Sequence, residues 1–243
     1  MTDLPKDSLG DRMKMYESAS RTQLPRRMPL ILRIDGRAFH TYTRGLAKPF
    51  DSNLMAAMNA TAVSVCSEVQ GAQLGYVQSD EISVLVHNYK RFSSSAWFDN
   101  SIQKMVSVAA GIASAAFTVQ SSSVFGTVRP AVFDARVFAL PEAEVCNYFI
   151  WRQQDTIRNG VQMMARAKFS HSACENQSVP QLVGMLRDAG VEWDDADWAC
   201  RYGRATTYSV FGGYEHPRWH TEQAPLFTGD RDFVNNLLAV EEP

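Results

Sequence analysis

The sequence predicts an α+β fold in which a ferredoxin-like βαββαβ unit is followed by a mainly helical C-terminal part. Two patterns support this prediction. Four short segments with strand-like apolar patterns enclose two longer segments in which apolar residues recur every three or four positions, and the pattern becomes helical after Pro141. We therefore expect one domain over residues 1–140 and a mainly helical region over residues 141–243 that packs on it.

The first strand and the first helix are predicted between residues 30 and 69. Alternate residues from 30 to 34 are apolar, and the run ends at Asp35-Gly36, a pair typical of a turn. The segment 51–69 then carries apolar residues at helical spacing, which predicts a helix with one apolar face.

A hairpin, a second helix and a fourth strand complete the predicted unit. Two apolar runs, 74–77 and 82–86, are separated by the polar residues 79–81, which indicates a hairpin. Apolar residues follow a helical period over 97–117, and 132–138 has the pattern of a strand. The order of these elements is that of polymerase palms and of nucleotide cyclases.

The C-terminal part is predicted to be mainly helical. Segment 142–168 has a long helical pattern interrupted only by Gly160. Ser178 can cap a further helix, which Gly190 can end about three turns later. Beyond residue 193 the aromatic residues, glycines and prolines follow no clear period, so no element is predicted there.

The composition is that of an ordinary globular protein. Of the 243 residues, 45% are hydrophobic and 21% are charged, and no apolar stretch approaches the ~20 residues of a membrane span. The first ten residues are polar and carry Asp3, Lys6 and Asp7, where a secretory signal would need an apolar core. We therefore expect a cytoplasmic protein without a membrane partner.

Cysteine spacing and net charge indicate which kinds of site the protein can have. The four cysteines are widely separated and form no Cys-x-x-Cys pair, so neither a zinc site nor a disulfide framework is indicated. The formal net charge of -2 argues against a protein coated with positive charge. A local basic surface can still hold phosphates, and nucleic acid therefore remains a possible partner.

Two carboxylates are predicted to meet at one edge of the sheet. In the predicted topology the third strand lies between the first two and runs antiparallel to both, so Asp35 and Asp80 should be neighbours. Two close carboxylates repel unless a cation lies between them, and oxygen ligands suit magnesium. Glu81 is either a third ligand or a partner of the ligands, and Gly36 allows its backbone to approach a ligand. The alternative is that both aspartates are ordinary turn residues at strand ends.

Six segments of the chain resemble the tRNA-His guanylyltransferase family and occur in the family's order over roughly residues 9–170. They are RIDGRAFH at 33–40, KP at 48–49 with Asp51, QSDEIS at 78–83, QKMVS at 103–107, FDARV at 133–137 and WRQQD at 151–155. Each motif alone is weakly specific. The ordered set is specific.

This resemblance implies a 3′-to-5′ polymerase that adds nucleotides to the 5′ end of tRNA, with GTP and ATP as substrates. It also implies a polymerase-type palm with two Mg²⁺ ions, and a homo-oligomer, a tetramer or a dimer, that shares the tRNA between subunits. Asp35 and Asp80 match the two carboxylates that hold both metals, and Gly36 matches the residue that supplies a backbone carbonyl. Glu81 matches the neighbouring acidic residue of the catalytic set. The positions that match the triphosphate-binding residues are Gly36, Arg37, Ala38, Phe39, His40, Lys48, Ser79 and Lys104.

One departure from the family pattern concerns the substrate. The eukaryotic members have a His-Ile-Asn-Asn run associated with reading the tRNA-His anticodon, and the corresponding stretch here is Ile157-Arg158-Asn159-Gly160. The sequence therefore resembles the bacterial and archaeal-type branch, which repairs 5′-truncated tRNAs and also adds guanylate. Candidates for contacts with tRNA phosphates include Arg26, Arg27, Lys90, Arg91, Arg158, Arg166, Lys168, Arg201 and Arg204.

Two other functions fit the same palm. A nucleotidyl cyclase would use the same carboxylates and metals on one triphosphate without RNA, and a noncatalytic module would bind tRNA or nucleotide only. The paired carboxylates Asp35 and Asp80, with Glu81 beside them, favour an enzyme, because a binding module does not need paired carboxylates near a phosphate.

Overall fold

The computed structural model describes residues 8–91 and 93–240. Asp3, Lys6 and Asp7, on which the expected cytoplasmic location depends, lie outside these residues. The helices and strands up to residue 140 are α1 (Leu9–Ser18), β1 (Leu30–Gly36), α2 (Phe39–Tyr42), α3 (Ser52–Glu68), β2 (Ala72–Gln78), β3 (Glu81–Val86), α4 (Ile102–Phe125) and β4 (Phe133–Ala139). Those after it are α5 (Glu142–Lys168), α6 (His171–Cys174), α7 (Val179–Asp188), α8 (Trp198–Tyr202), β5 (Arg204–Ser209), β6 (Arg218–Gln223) and α9 (Asp232–Asn235). Three 3₁₀ turns occur at Trp97–Asn100, Trp193–Asp195 and Asn236–Leu238.

The strands form one antiparallel sheet in the order β4-β1-β3-β2-β5-β6. As predicted, β3 lies between β1 and β2 and runs antiparallel to both. The register places Asp35 opposite Glu81 on one side and opposite Asp134 on the other. These three side chains therefore point to the same face of the sheet.

The alternation of side chains along the strands divides the core between the two faces of the sheet. Leu32, Ile34 and Val84 are buried in a cluster with residues of α3 and α4. Ile31 and Leu85 are buried on the opposite face, in a cluster with residues of α5. Asp35 belongs to this second face, beyond the edge of its apolar cluster.

The helix predicted over 97–117 differs from the observed one at both ends. The chain first makes the 3₁₀ turn, in which Phe98, Asp99 and Asn100 have positive φ angles of 49°, 52° and 56°. Helix α4 then begins at Ile102 and continues to Phe125, where Gly126 ends it at φ 69°. The apolar period alone does not reveal the first break, because Trp97 is buried like the helix residues that follow.

Helix α4 also corrects the expectation that no apolar stretch approaches the length of a membrane span. Among the described residues this one helix is long and apolar enough to cross a membrane by length and composition. Core helices of soluble proteins meet the same criterion, and Met105, Ala109 and Phe117 of α4 are fully buried in the cluster formed with α3 and the sheet. Its length and composition are thus weak support for a membrane span.

The C-terminal part supplies two strands that the sequence pattern did not predict. Strand β5 pairs with β2, and β6 pairs with β5, so the sheet includes strands from both sides of the predicted boundary at residue 140. Helices α5 and α7 have the predicted positions, and Ser178 forms a capping box with Gln181. The division into two domains at residue 140 stays a prediction.

Gly160 lies where α5 packs closely on the residues that follow α7. A β carbon at this position would lie 2.7 Å from the Trp193 ring and 3.2 Å from the Cys200 carbonyl oxygen. Both distances are shorter than ordinary contacts, so the neighbours would have to move to accept a larger residue.

We expect Gly160→Ala to lower the free energy of unfolding by about 1–3 kcal/mol through overpacking, measured by chemical denaturation. The matched control is Gly184→Ala in α7, where no atom lies within 4 Å of the added β carbon. That control should stabilise the protein by about 0.5–1 kcal/mol through helix propensity. Equal effects of the two substitutions would contradict the packing explanation.

Candidate active site

The candidate active site lies where β1 ends beside the β2–β3 turn. Asp35 is the penultimate residue of β1, and Asp80 lies in the turn. The Gly36 N–H donates a 3.1 Å hydrogen bond to the Asp80 carbonyl oxygen, which holds the turn against the strand. The structure thus brings Asp35, Gly36 and Asp80 together, as the topology predicted.

The surroundings of the two aspartates disfavour their ionised forms. Burial, followed by the charge of Asp35, raises the pKa of Asp80 to about 6. Burial, followed by the charge of Glu81, also raises the pKa of Asp35, although Arg33 opposes the shift. A cation placed between the two carboxylates would remove their mutual repulsion.

The few ligands at this site suit magnesium, which substrate phosphates and water also bind, better than a metal that needs several protein side chains. Within residues 8–91 and 93–240, no three His, Cys, Asp or Glu side chains group so that they could hold a metal ion. Asp35 and Asp80 supply two carboxylates, and the backbone of Gly36 lies at the same place because its N–H binds the Asp80 carbonyl oxygen. Magnesium is usually bound by one or two carboxylates together with substrate phosphates and water, which is the set that this site allows.

Glu81 is buried and its carboxylate is occupied by two arginines. Arg33 Nη2 lies 2.7 Å from Glu81 Oε2, and Arg152 donates from Nε and Nη2 to the two oxygens at 2.8 Å each. Arg152 also binds Asp155 at 2.9 Å. Of the two roles that the sequence left open for Glu81, this geometry favours the one in which it supports the metal ligands rather than joining them.

The loop after Gly36 combines exposed polar side chains with one core residue. Arg37 and His40 are exposed, whereas Phe39 is buried against Phe117 and Phe133. The Phe39 ring also packs so closely on Gly36 that a β carbon at Gly36 would overlap it. Phe39 can therefore offer a triphosphate only its backbone.

Ala38 has the left-handed backbone of φ 55° that starts the short helix α2. The first N–H groups of a helix have no partner inside the helix and favour anions. The predicted contribution of Ala38 to phosphate binding is thus a backbone contribution.

Ser79 and Lys48 are both exposed, and Ser79 lies beside Asp80, whereas Lys104 lies far from the paired aspartates. Ser79 precedes Asp80 in the turn, with φ 45°. Lys104 lies at the other end of α4, with its ammonium 5.8 Å from the centre of the Phe98 ring. Phe133 of β4 pairs with Gly36, and its N–H donates a hydrogen bond to Ser114 of α4. Ser114 lies ten residues after Lys104, which is about 15 Å along the helix. Within one chain, therefore, Lys104 is not brought to the site.

A cleft beside Ser79 extends from the turn between α3 and α5. Its walls include the apolar side chains of Phe50, Leu54, Met55 and Met163. Arg204 also lines this cleft and is almost completely buried. The sequence suggested Arg204 only as a candidate for tRNA phosphate contacts, and its burial contradicts that suggestion.

The other basic candidates differ in exposure. Arg158, Arg166 and Lys168 are exposed along α5 and remain candidates for phosphate contacts. Arg201 is mostly buried and pairs with Asp194, so it is a poor candidate.

Comparison with known proteins shows the family of this chain. The model of the tRNAHis guanylyltransferase family matches residues 10–141, which is more than half of the chain. The chain belongs to this family. The matched region contains β1, the β2–β3 turn and both aspartates of the candidate site.

Solved structures extend the likeness to almost the whole chain. A bacterial tRNA(His) guanylyltransferase-like protein in complex with ATP is 38% identical, with 96% of this chain and 100% of that chain covered and a TM-score of 0.90. A bacterial guanylyltransferase-like protein in complex with GTP has the same identity and coverage and a TM-score of 0.81. Both are mixed folds of helices and antiparallel sheet, like the structure described above.

A curated relative of this guanylyltransferase family matches over a shorter region. The probable tRNA(His) guanylyltransferase of Dictyostelium discoideum is 30% identical over 138 residues, which are 54% of this chain and 52% of that protein. The chain thus matches about half the length of that relative.

We expect Glu81→Gln to lower the free energy of unfolding by up to about 3–5 kcal/mol, because Arg33 and Arg152 would keep their buried charges and lose the carboxylate that both of them bind. Chemical denaturation at pH 7 measures this change. The control is Glu192→Gln, which breaks an exposed pair with Arg187 and should cost less than about 1 kcal/mol. A loss of activity by Glu81→Gln at unchanged stability would contradict a supporting role.

We also expect the stability of the metal-free protein to depend on Asp80. Because the pKa of Asp80 rises from 3.8 to about 6 on folding, the folded state binds more protons between these values. The contribution of Asp80 to stability therefore falls as pH rises through this window, by about 3 kcal/mol in total. Asp80→Asn removes this dependence.

The measurement is the difference in unfolding free energy between Asp80→Asn and the unsubstituted protein from pH 4 to pH 7.5 without magnesium. The difference should grow in favour of the variant as pH rises. Added magnesium should stabilise the unsubstituted protein more than the variant. A difference that is independent of pH would contradict the raised pKa.

Proposed function

We propose that this protein adds nucleotides to the 5′ end of tRNA in the 3′-to-5′ direction, after a nucleoside triphosphate activates that end. The proposal depends on the neighbouring aspartates Asp35 and Asp80 at the edge of the sheet. The hydrogen bond from Gly36, the residue after Asp35, to Asp80 holds them there. The likeness to proteins that bind ATP and GTP supports nucleoside triphosphates as substrates. Family membership supports tRNA as the acceptor.

The catalytic domain of this proposal is a ferredoxin-like, polymerase-type palm over residues 1–140. The strand order β4-β1-β3-β2, with α3 after β1 and α4 after β3, supports this arrangement. The region 141–243 would then pack on the palm, with α5 covering the face that carries Asp35. A homo-oligomer, either a tetramer or a dimer, remains part of the proposal.

Two Mg²⁺ ions bound at Asp35, Asp80 and the Gly36 carbonyl would neutralise developing charge on the phosphates and orient the attacking and leaving oxygens in line. The chain's own residues have separate tasks. Arg33 and Arg152 hold Glu81 in place, and Glu81 stands opposite Asp35 in the β1–β3 register. In this proposal the exposed side chains of Arg37, His40, Ser79 and Lys48 would contact the triphosphate.

The proposed substrates are 5′-truncated tRNAs, with guanylate addition to tRNA-His as a second reaction. In the stretch 157–160, Gly160 is buried and Arg158 pairs with Asp155 at 3.2 Å. The stretch lacks the histidine of the eukaryotic pattern, and Gly160 has no side chain that could read an anticodon base. Selection would then depend on the acceptor stem and on pairing of the incoming nucleotide with the opposite strand.

Product analysis tests the proposal against a nucleotidyl cyclase and against a noncatalytic binding module. Purified protein is incubated with magnesium and each triphosphate in turn, with full-length tRNA, with 5′-truncated tRNA, or without RNA. The proposal expects extended tRNA only. A cyclic nucleotide formed without RNA would favour the cyclase, and binding without any product would favour the module.

We expect Asp35→Ala and Asp80→Ala each to abolish nucleotide addition while the protein stays folded, because each removes a ligand of the metals. The control is Asp188→Ala at the end of α7, which should keep full activity. Primer-extension kinetics on truncated tRNA measure the effect, and circular dichroism checks the fold. Near-normal turnover of either site variant at saturating magnesium would refute the metal site.

The choice of substrate has its own test, with truncated tRNA-His, two other truncated tRNAs and a swapped anticodon. We expect the anticodon to have little effect on the rate. A loss of more than about a hundredfold on changing the anticodon alone, roughly 2.7 kcal/mol of transition-state discrimination, would indicate a dedicated tRNA-His enzyme.

A further inference from the structure

Trp151 is an exposed tryptophan on α5, the helix that covers the face of the sheet with Asp35. Its exposed fraction is 48%, whereas Trp97 and Trp193 are buried. A large aromatic side chain left this exposed is missing a contact that the rest of the described chain does not supply.

The contacts of Trp151 link it to the carboxylates of the candidate site. The guanidinium of Arg152 lies 4.5 Å from the centre of the Trp151 ring. The same guanidinium binds both oxygens of Glu81, which stands opposite Asp35 in the β1–β3 register. Arg152 therefore holds the indole beside the site and covers only part of its ring.

Trp151 lies on a different side of α5 from the cleft beside the β2–β3 turn. Tyr148, one turn earlier, packs against the Trp151 ring and against Phe138 of β4, with ring centres 5.8 Å apart in both pairs. Thr156 and Met163, which line the cleft, are rotated by about 120–140° from Trp151 around the helix. Two substrates that meet at the aspartates can thus approach from two separate sides.

The surroundings of Trp151 suit RNA better than a protein partner. Arg158, about two turns later on the same side of α5, is exposed, and arginines attract phosphates. Asp155 on this side forms ion pairs with Arg152 and Arg158. The core of a protein–protein interface is depleted of such charges, whereas an aromatic ring beside basic groups is typical of surfaces that bind single-stranded nucleic acid.

We propose that Trp151 stacks on an unpaired base of the 3′ strand at the end of the acceptor stem and so holds this strand beside the metal site. The inference rests on the proposed function, in which a 5′-truncated tRNA leaves the 3′ strand unpaired opposite the missing nucleotide.

Stacking fits a reaction in which the 3′ strand is the template. Every base has an aromatic face, so stacking tolerates any sequence. It also leaves the pairing edge of the base free for the incoming nucleotide. Trp151 thus positions the template without selecting its sequence, which agrees with the repair of many tRNAs.

The experiment measures equilibrium binding of two stem–loop RNAs to the full chain, with magnesium and without triphosphate. Both RNAs have the same 5′-truncated stem and the same length of unpaired 3′ strand, but in one of them every unpaired nucleotide lacks its base. The phosphates are identical, so the ratio of the two affinities isolates the contribution of the bases.

We expect the unsubstituted protein to bind the RNA with bases at least about fivefold more tightly, which is equivalent to about 1 kcal/mol. In Trp151→Ala this ratio should fall below about twofold. Trp151→Phe keeps an aromatic face and should retain most of the preference, whereas Trp151→Leu should lose it. The control is Tyr16→Ala, which removes an exposed aromatic ring on α1 and should leave the ratio unchanged.

Three outcomes would overturn the role of Trp151. Equal binding of the two RNAs by the unsubstituted protein would do so even if the variants do not fold. An unchanged ratio in folded Trp151→Ala is the second such outcome. The third is an equal loss of affinity for both RNAs together with a changed molecular mass in solution, which would indicate that Trp151 packs against a second copy of the chain.

An extension assay with the same RNA, magnesium and triphosphates separates this inference from the proposed function. If the unsubstituted protein extends no RNA, the proposed function itself fails. If it extends the RNA but binds both RNAs equally, only the role of Trp151 fails.

Discussion

The site depends on one constraint, which is the antiparallel register of β1 against β3 together with the hydrogen bond from Gly36 to Asp80. The register brings the end of one strand to the start of the other, and the hydrogen bond fixes the turn that carries the second aspartate. Two like charges are thereby held close although they repel. The strands are stabilised elsewhere, by the apolar clusters on both faces, so the fold can tolerate this local cost.

The carboxylates on the Asp35 face differ in how closely arginines neutralise them. Glu81, the most buried of the carboxylates there, binds two arginines. Asp35 has a longer contact of 3.9 Å with Arg33 and no closer cation among the described residues. Arg33 and Arg152 therefore neutralise the residue that is needed for structure. They leave the two aspartates at the edge with raised pKa values, available for a cation from solution.

The sequence predicted the elements whose side chains alternate or recur regularly. Strands β1 to β4 and helices α3 and α5 were found in this way, and the topology then predicted that Asp35 and Asp80 are neighbours. Strands β5 and β6 were missed because each lies near the edge of the sheet and is buried over only part of its length, so neither has a strict period.

The burial of Arg204 was not predicted, for a different reason. An arginine in a sequence usually indicates a solvated surface, and its burial depends on packing that joins α3, α5 and α8. Similarly, Phe39 matched a triphosphate-binding position, but its side chain belongs to the core. A motif places a residue in the chain, and only the fold decides where its side chain points.

The pairing of β5 with β2 has a consequence for how the chain folds. Gly75 pairs with Thr206, about 130 residues later, so this contact forms only after most of the chain has been synthesised. Until then β2 is an edge strand with unpaired backbone groups, and such edges promote association with other chains. A nascent or shortened chain that ends before β5 would expose this edge, and we expect aggregation rather than a smaller folded enzyme.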